Sequence, residues 1–186
     1  MGSGAWADWL AERLQAQGAS PARERSSDWT GLQIDSAQLR LSDGRTASTL
    51  GREVAVFDRP MSLKDGVSLA WAPSCGASDD WVANAPQWLM ALGLTPVRVA
   101  DAPGLVVART LAMLINEAAD AVQQGVCSQA GADAAMKLGV NYPAGPFEWL
   151  AGWSVPGVVA VLEALDTHYR GERYRVSPWL RQRQVF

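Results

Sequence analysis

Hydrophobic positions along this chain change their period twice. In residues 4–18, GAWADWLAERLQAQG, Trp6, Trp9, Leu10 and Leu14 recur at three- to four-residue steps, which predicts a short helix, and Gly18 supplies a stop. The polar stretch ASPARERSSD that follows reads as a linker or a mobile loop. From residue 31 the period falls to two. LQIDSAQLRLSDGRTAST alternates, with Asp43-Gly44 as a hairpin turn signal, and EVAVFD and VSLAWA are two further short strands. SDDWVANAPQWLMALG, residues 78–93, predicts a helix capped by Ser78, with two aspartates in its first turn. Val82, Ala85, Leu89 and Trp88 face inward there, and Pro86 argues for a bend or a later start. TPVRVAD, 95–101, returns to strand. Residues 31–101 therefore form a small sheet with at least one crossover helix.

Beyond residue 101 the strand signals stop. Leu111, Leu114, Ile115, Ala118 and Val122 make an apolar stripe, while Arg109, Met113 and Glu117 follow at i, i+4 and i+8 on a different face. Gly125 ends this helix and Ser128 caps the next, SQAGADAAMKLG. A turn region punctuated by proline and glycine holds one short helical turn. The last long helix is VPGVVAVLEALDTHYR, with Val158, Val159, Leu162 and Leu165 inward, and the tail GERYRVSPWLRQRQVF is expected to be extended and basic. Residues 1–30 thus read as helix and linker, 31–101 as a small α/β segment, and 102–186 as a compact helical domain. The expected fold class is mainly α.

Composition narrows the function. Of 186 residues 48% are hydrophobic and 19% charged, which suits a well-buried core. A net charge of −3, with no dense basic tract, speaks against nucleic acid as a partner. Cys75 and Cys127, far apart, read as reduced small hydrophobes. The opening MGSGAWADWL lacks a basic segment followed by an apolar run, and no window approaches 18 apolar residues. The expectation is a cytoplasmic protein with no membrane partner.

Few residues carry obvious chemistry. The sequence holds no G-x-G-x-x-G run, whose glycines let a backbone approach a pyrophosphate at a helix start. One histidine and no cysteine cluster leave no metal set. His168 reads as a helix-end residue. Glu117 and Asp120 stand at i, i+3, and Arg109 is placed to join Glu117 directly or through a neighbouring element, a structural network rather than an acid–base pair. Asn116 interrupts an apolar run and is expected to tie backbone groups of an adjoining loop, since a buried amide needs partners. In NYPAGPFEW, residues 141–149, Pro143 and Pro146 fix φ around Gly145; this is a rigid interhelix corner or a wall of an acyl-ligand groove. Nine tryptophans stand against three phenylalanines, and Trp149, Trp153 and Trp179 group near the last helices as candidates for core or contact surface.

DAPGLVVARTLAMLINEAADAVQQGV, ADAAMKLGVNYPAGPFEWL and RYRVSPWLR resemble, in order, the helical C-terminal domain of the 3-hydroxyacyl-CoA dehydrogenases. Residues 37–100 look like the degenerate segment before the second helical domain in long two-copy bacterial enzymes of the 3-hydroxyadipyl-CoA and 3-hydroxybutyryl-CoA type. The resemblance implies a small remnant of a Rossmann-like sheet followed by the helical domain. In that family a Rossmann domain binds NAD, a histidine–glutamate pair in it moves the proton, and an asparagine just before the arginine of the helical domain's motif helps to hold substrate. Here the arginine is Arg109 and the asparagine position holds Ala108. The corner survives as Tyr142, Pro143, Gly145, Pro146 and Phe147. The resemblance therefore implies a non-catalytic part of an NAD-dependent dehydrogenase, with no catalytic residue, no cofactor bound by this chain and NAD held in the intact parent. Its partners would be the N-terminal dehydrogenase half, a second copy in a homodimer, and an acyl-CoA contact. The alternative is a stand-alone acyl-CoA-binding or dimerisation module, with phosphates near Arg173 and Arg175.

Overall fold

A computed structural model describes residues 2, 5–61 and 64–184; parts of the opening MGSGAW stretch and of the terminal QVF lie outside the described residues. The chain divides into two units, Met1–Val107 and Ala108–Phe186. Among the described residues there are eight α-helices and five short strands, mainly α with one small sheet.

The first unit is built on a sheet whose strands lie in chain order: β1 (Gly31–Ile34), β2 (Ala37–Leu41), β3 (Val54–Phe57), β4 (Ser68–Pro73) and β5 (Thr95–Arg98). β1 and β2 are antiparallel, β2 and β3 parallel, β3 and β4 antiparallel, β4 and β5 parallel. Each parallel pair needs a crossover. The short helix α2 (Ala47–Leu50) makes the first and α3 (Asp79–Ala91) the second. β3 is buried at all four positions, as a strand covered on both faces must be. Leu39, Ala55, Phe57, Leu69 and Trp71 share a core with Trp9 and Leu10 of α1 (Ala5–Ala16) and with Trp81, Ala85 and Leu89 of α3. Val54, Val56 and Ala72 point the other way, onto Ala47 and Leu105. The N-terminal helix is thus part of the sheet's packing.

Three local expectations of the first unit are corrected. The hairpin turns at Asp35-Ser36, not at Asp43-Gly44: Ile34 pairs with Ala37, and Asp35 takes a φ of 50°. β2 is held on both sides, and that register puts Leu39 in the core. Asp43 instead accepts the backbone N–H of Arg45 at 3.0 Å, shaping the approach to α2, which Thr46 caps. α3 starts at Asp79 and runs through Pro86, so the proline does not delay it. Trp81 is buried on the inner face with Ala85 and Leu89, while Val82 and Trp88 are half-buried.

The second unit packs α4 (Val107–Gln123), α5 (Gln129–Gly139), α6 (Pro146–Ala151), α7 (Val155–Tyr169) and α8 (Pro178–Arg183), with a 3-10 turn at Glu172–Tyr174. Its core joins Ala112, Ile115 and Ala119 with Phe147, Leu150, the inner face of α7, Trp179 and Leu180. Two corrections follow. The buried stripe of α4 is Ala108, Leu111, Ala112, Ile115, Asn116 and Ala119, with Leu114, Ala118 and Val122 only half-buried. The buried face thus includes three alanines beside Leu111 and Ile115. The tail is not extended: Ser177 caps α8, Pro178 occupies its first turn, and Trp179 and Leu180 are buried. Gly125, at φ 72°, closes α4, with Val126 N–H reaching Ala121 O.

Candidate functional site

The polar chemistry of the second unit gathers on one stripe of α4. Arg109, Asn116 and Asp120 stand seven and four residues apart, which puts them on one helix face. Asn116 is 3% exposed. Its Nδ2 donates to Arg175 O at 2.9 Å, and its Oδ1 accepts from Ser177 N–H at 2.8 Å. One carboxamide thus serves both polar groups of the segment leading into α8. Asp120, one turn further, pairs with the Arg175 guanidinium at 2.6 Å. Arg109, nearer the start of the helix, donates to Tyr169 Oη at 3.0 Å and lies 5.3 Å from the centre of that ring. Tyr169 in turn packs on Tyr174.

This arrangement differs from the pairing that the spacing predicts. Arg109 reaches Tyr169, sixty residues away in sequence, whereas Glu117 lies about 12 Å along the helix axis and is exposed. Asp120, one turn from Glu117, is engaged with Arg175. The same ion pair engages the Arg175 guanidinium, whose side chain stays 50% exposed. Spacing could have shown that 109, 116 and 120 share a face; it held nothing to say that residues 169–177 lie against it.

The corner at residues 142–147 is the second element. Gly145, with an ordinary φ of −84°, starts α6. A side chain on it would meet Asp133 of α5: an added Cβ would lie 2.3 Å from Asp133 Oδ1. That carboxylate accepts the Phe147 N–H at 2.8 Å. Glu148 accepts the Gly145 N–H at 2.9 Å and pairs with Lys137 of α5. The hydrogen bond from Lys137, and then that from Gly145, hold the Glu148 carboxyl below its usual range. Pro146 and Phe147 are buried, Tyr142 is half-buried against Trp149, and Pro143 is exposed. The corner docks α6 on α5 by carboxylates at a helix start. Trp179 belongs to the core and meets Phe147 edge-on, while Trp149 and Trp153 are half-buried against it.

Ala108, next to Arg109, is fully buried and offers no polar side-chain group. His168 sits exposed in the last turn of α7. Among the described residues no group of three or more His, Cys, Asp or Glu side chains could hold a metal ion, and no helix is long and apolar enough to cross a membrane.

Comparison with known families matches residues 104–184 to the 3-hydroxyacyl-CoA dehydrogenase C-terminal domain, and residues 39–103 to the 3-hydroxybutyryl-CoA dehydrogenase reduced Rossmann-fold domain. The chain belongs to the 3-hydroxyacyl-CoA dehydrogenase family. It is 39% identical to a 3-hydroxyadipyl-CoA dehydrogenase of Escherichia coli K12 over 96% of this chain and 39% of that protein. It is 31% identical to a probable 3-hydroxybutyryl-CoA dehydrogenase of Deinococcus radiodurans over 77% of this chain and 50% of that one. The crystal structure of a 3-hydroxybutyryl-CoA dehydrogenase from E. coli K12 superposes with a TM-score of 0.79 and 36% identity, covering 89% of this chain and 35% of that chain. The chain therefore spans between about a third and a half of these relatives' lengths. In this dehydrogenase family member, the matched boundary near residue 103 falls just before α4.

Proposed function

We propose that this chain is the non-catalytic C-terminal part of an NAD-dependent 3-hydroxyacyl-CoA dehydrogenase. The intact protein would oxidise a 3-hydroxyacyl-CoA to the 3-oxoacyl-CoA, with NAD held by its N-terminal half. The role of this part is packing, support of the substrate cleft and imitation of a dimer partner. One observation carries the reading: the position where the family has its substrate-holding asparagine is a fully buried alanine, Ala108. The polar residues that remain on α4 support it. Asn116 and Asp120 are bound to the unit's own residues 175–177, and Arg109 is engaged with Tyr169.

Val126, Leu138 and Val140 are 73%, 87% and 54% exposed. The proposed covers for these side chains are the dehydrogenase half of the same protein or a second copy. The test is reconstitution. The N-terminal half of such a dehydrogenase, expressed separately, is assayed for NADH formation from 3-hydroxybutyryl-CoA with and without this chain. The chain alone should give no rate, and its addition should raise kcat/KM of the half. Turnover by the chain alone, or no effect on the half, overturns the proposal.

A further inference from the structure

The first unit matches a reduced Rossmann-fold domain, and a Rossmann unit takes a dinucleotide with its pyrophosphate at a helix start, in the crevice outside the carboxyl ends of parallel strands. Three observations on this sheet disagree with such an occupant.

The first is topology. A crevice forms where neighbouring crossovers leave the same edge of a sheet towards opposite faces. Here β2/β3 and β4/β5 are separated by the antiparallel pair β3/β4. The carboxyl ends of β2 and β4 therefore open at opposite edges, and the two crossovers do not form a common crevice.

The second is the occupancy of the helix starts. Asp101 accepts the N–H groups of Ala47 and Ser48 at 2.8 and 2.9 Å and the Ser48 hydroxyl at 2.6 Å, filling the start of α2. At α3, Ser78 Oγ accepts the Trp81 N–H and donates to Glu53 at 2.9 Å, while Asp79 and Asp80 stand in the first turn. The fully buried Asp58 takes the N–H groups of Val106 and Val107 at 2.9 and 2.6 Å. Each of these backbone donors meets an oxygen of the chain itself.

The third is charge. The cavity beside the start of α3, about 440 Å³, is walled by Asp35, Glu53 and Asp80 together with Trp81 and Trp88. Three carboxylates around such a space repel a pyrophosphate.

We infer that the sheet unit excludes a dinucleotide, and that its own side chains Asp101, Glu53 and Asp58 accept the hydrogen-bond donors at its helix starts in place of cofactor phosphates. This deepens the proposed supporting role, because a unit closed in this way is a folded spacer rather than a second cofactor site. The full chain is titrated with NADH, followed by nicotinamide fluorescence and by calorimetry. No saturable signal is expected up to about 1 mM, and NADH should leave the melting temperature unchanged. Asp101→Asn and Glu53→Gln are then titrated in the same way. Both should melt lower than the wild type and still fail to bind NADH. Saturable NADH binding by the wild type overturns the inference outright. A gain of binding in either variant also overturns it, since it would show that the sheet offers a dinucleotide crevice despite the antiparallel β3/β4 pair. NADH binding here with unchanged stimulation of the dehydrogenase half would leave the supporting role standing, so the two failures are distinguishable.

Discussion

At the scale of single residues, the second unit hangs on a few polar side chains that each serve two partners. Asn116 satisfies a donor and an acceptor of the same backbone segment while buried. Asn116→Ala would strand the Arg175 carbonyl and the Ser177 N–H, an expected loss of about 2–6 kcal/mol at roughly 1–3 kcal/mol per buried unpaired group. Urea denaturation followed by tryptophan fluorescence checks it, and a loss within a few tenths of a kcal/mol would contradict the clamp. Gly145→Ala should destabilise through contact with Asp133 rather than through backbone strain, because φ is already ordinary. In a double-mutant cycle with Asp133→Ala the two losses should be less than additive. The sequence marked Asn116 as an amide needing partners and Gly145 as the pivot of a turn. It could not show Asp133 behind the glycine, since those contacts join residues on different helices.

At the scale of elements, caps decide where helices begin. Ser78, Ser128 and Ser177 each accept a backbone N–H in the first turn of α3, α5 and α8. The first two are legible as serine ahead of a periodic run. Ser177-Pro178 carries the same signal, but α8 is six residues long and shows too little periodicity to declare itself. Its helical state comes from burying Trp179 and Leu180. The α5–α6 junction also has a pH signature. Glu148 is held below its usual carboxylate range in the folded state by Lys137 and the Gly145 N–H. The folded value lies below the unfolded one, so this contribution is complete above the ordinary carboxylate range, about 4.3, and disappears as pH falls through the folded value. Acid titration of helical circular dichroism should therefore show a steeper loss below about pH 4 for the wild type than for Glu148→Gln. Equal acid limbs would remove Glu148 from the account.

At the scale of the whole molecule, each unit has core clusters of its own among the described residues. The sheet clusters draw on residues of the first unit, and the α4–α8 cluster on residues of the second. Leu162→Ala, at a fully buried site of α7, should cost about 2–5 kcal/mol and should speed hydrogen exchange in α4 and α7 first. Uniform acceleration across the sheet would instead indicate one cooperative core. Element types were legible in the sequence because they rest on local periodicity. An alternating stretch predicts strand and a three- to four-residue repeat predicts helix, and β2, α3 and α7 follow that rule, while β3 and β4 show as short apolar runs. Likewise, the missing glycine fingerprint and Ala108 are facts of composition at given positions and need no folding to be read. The tertiary structure alone decided the hairpin at Asp35, the buried face of α4, the Arg109–Tyr169 contact and the carboxylates at the helix starts. Each of these is a choice among locally equivalent options. It is made by packing and hydrogen bonding between residues far apart in the chain, where a sequence carries no distance information.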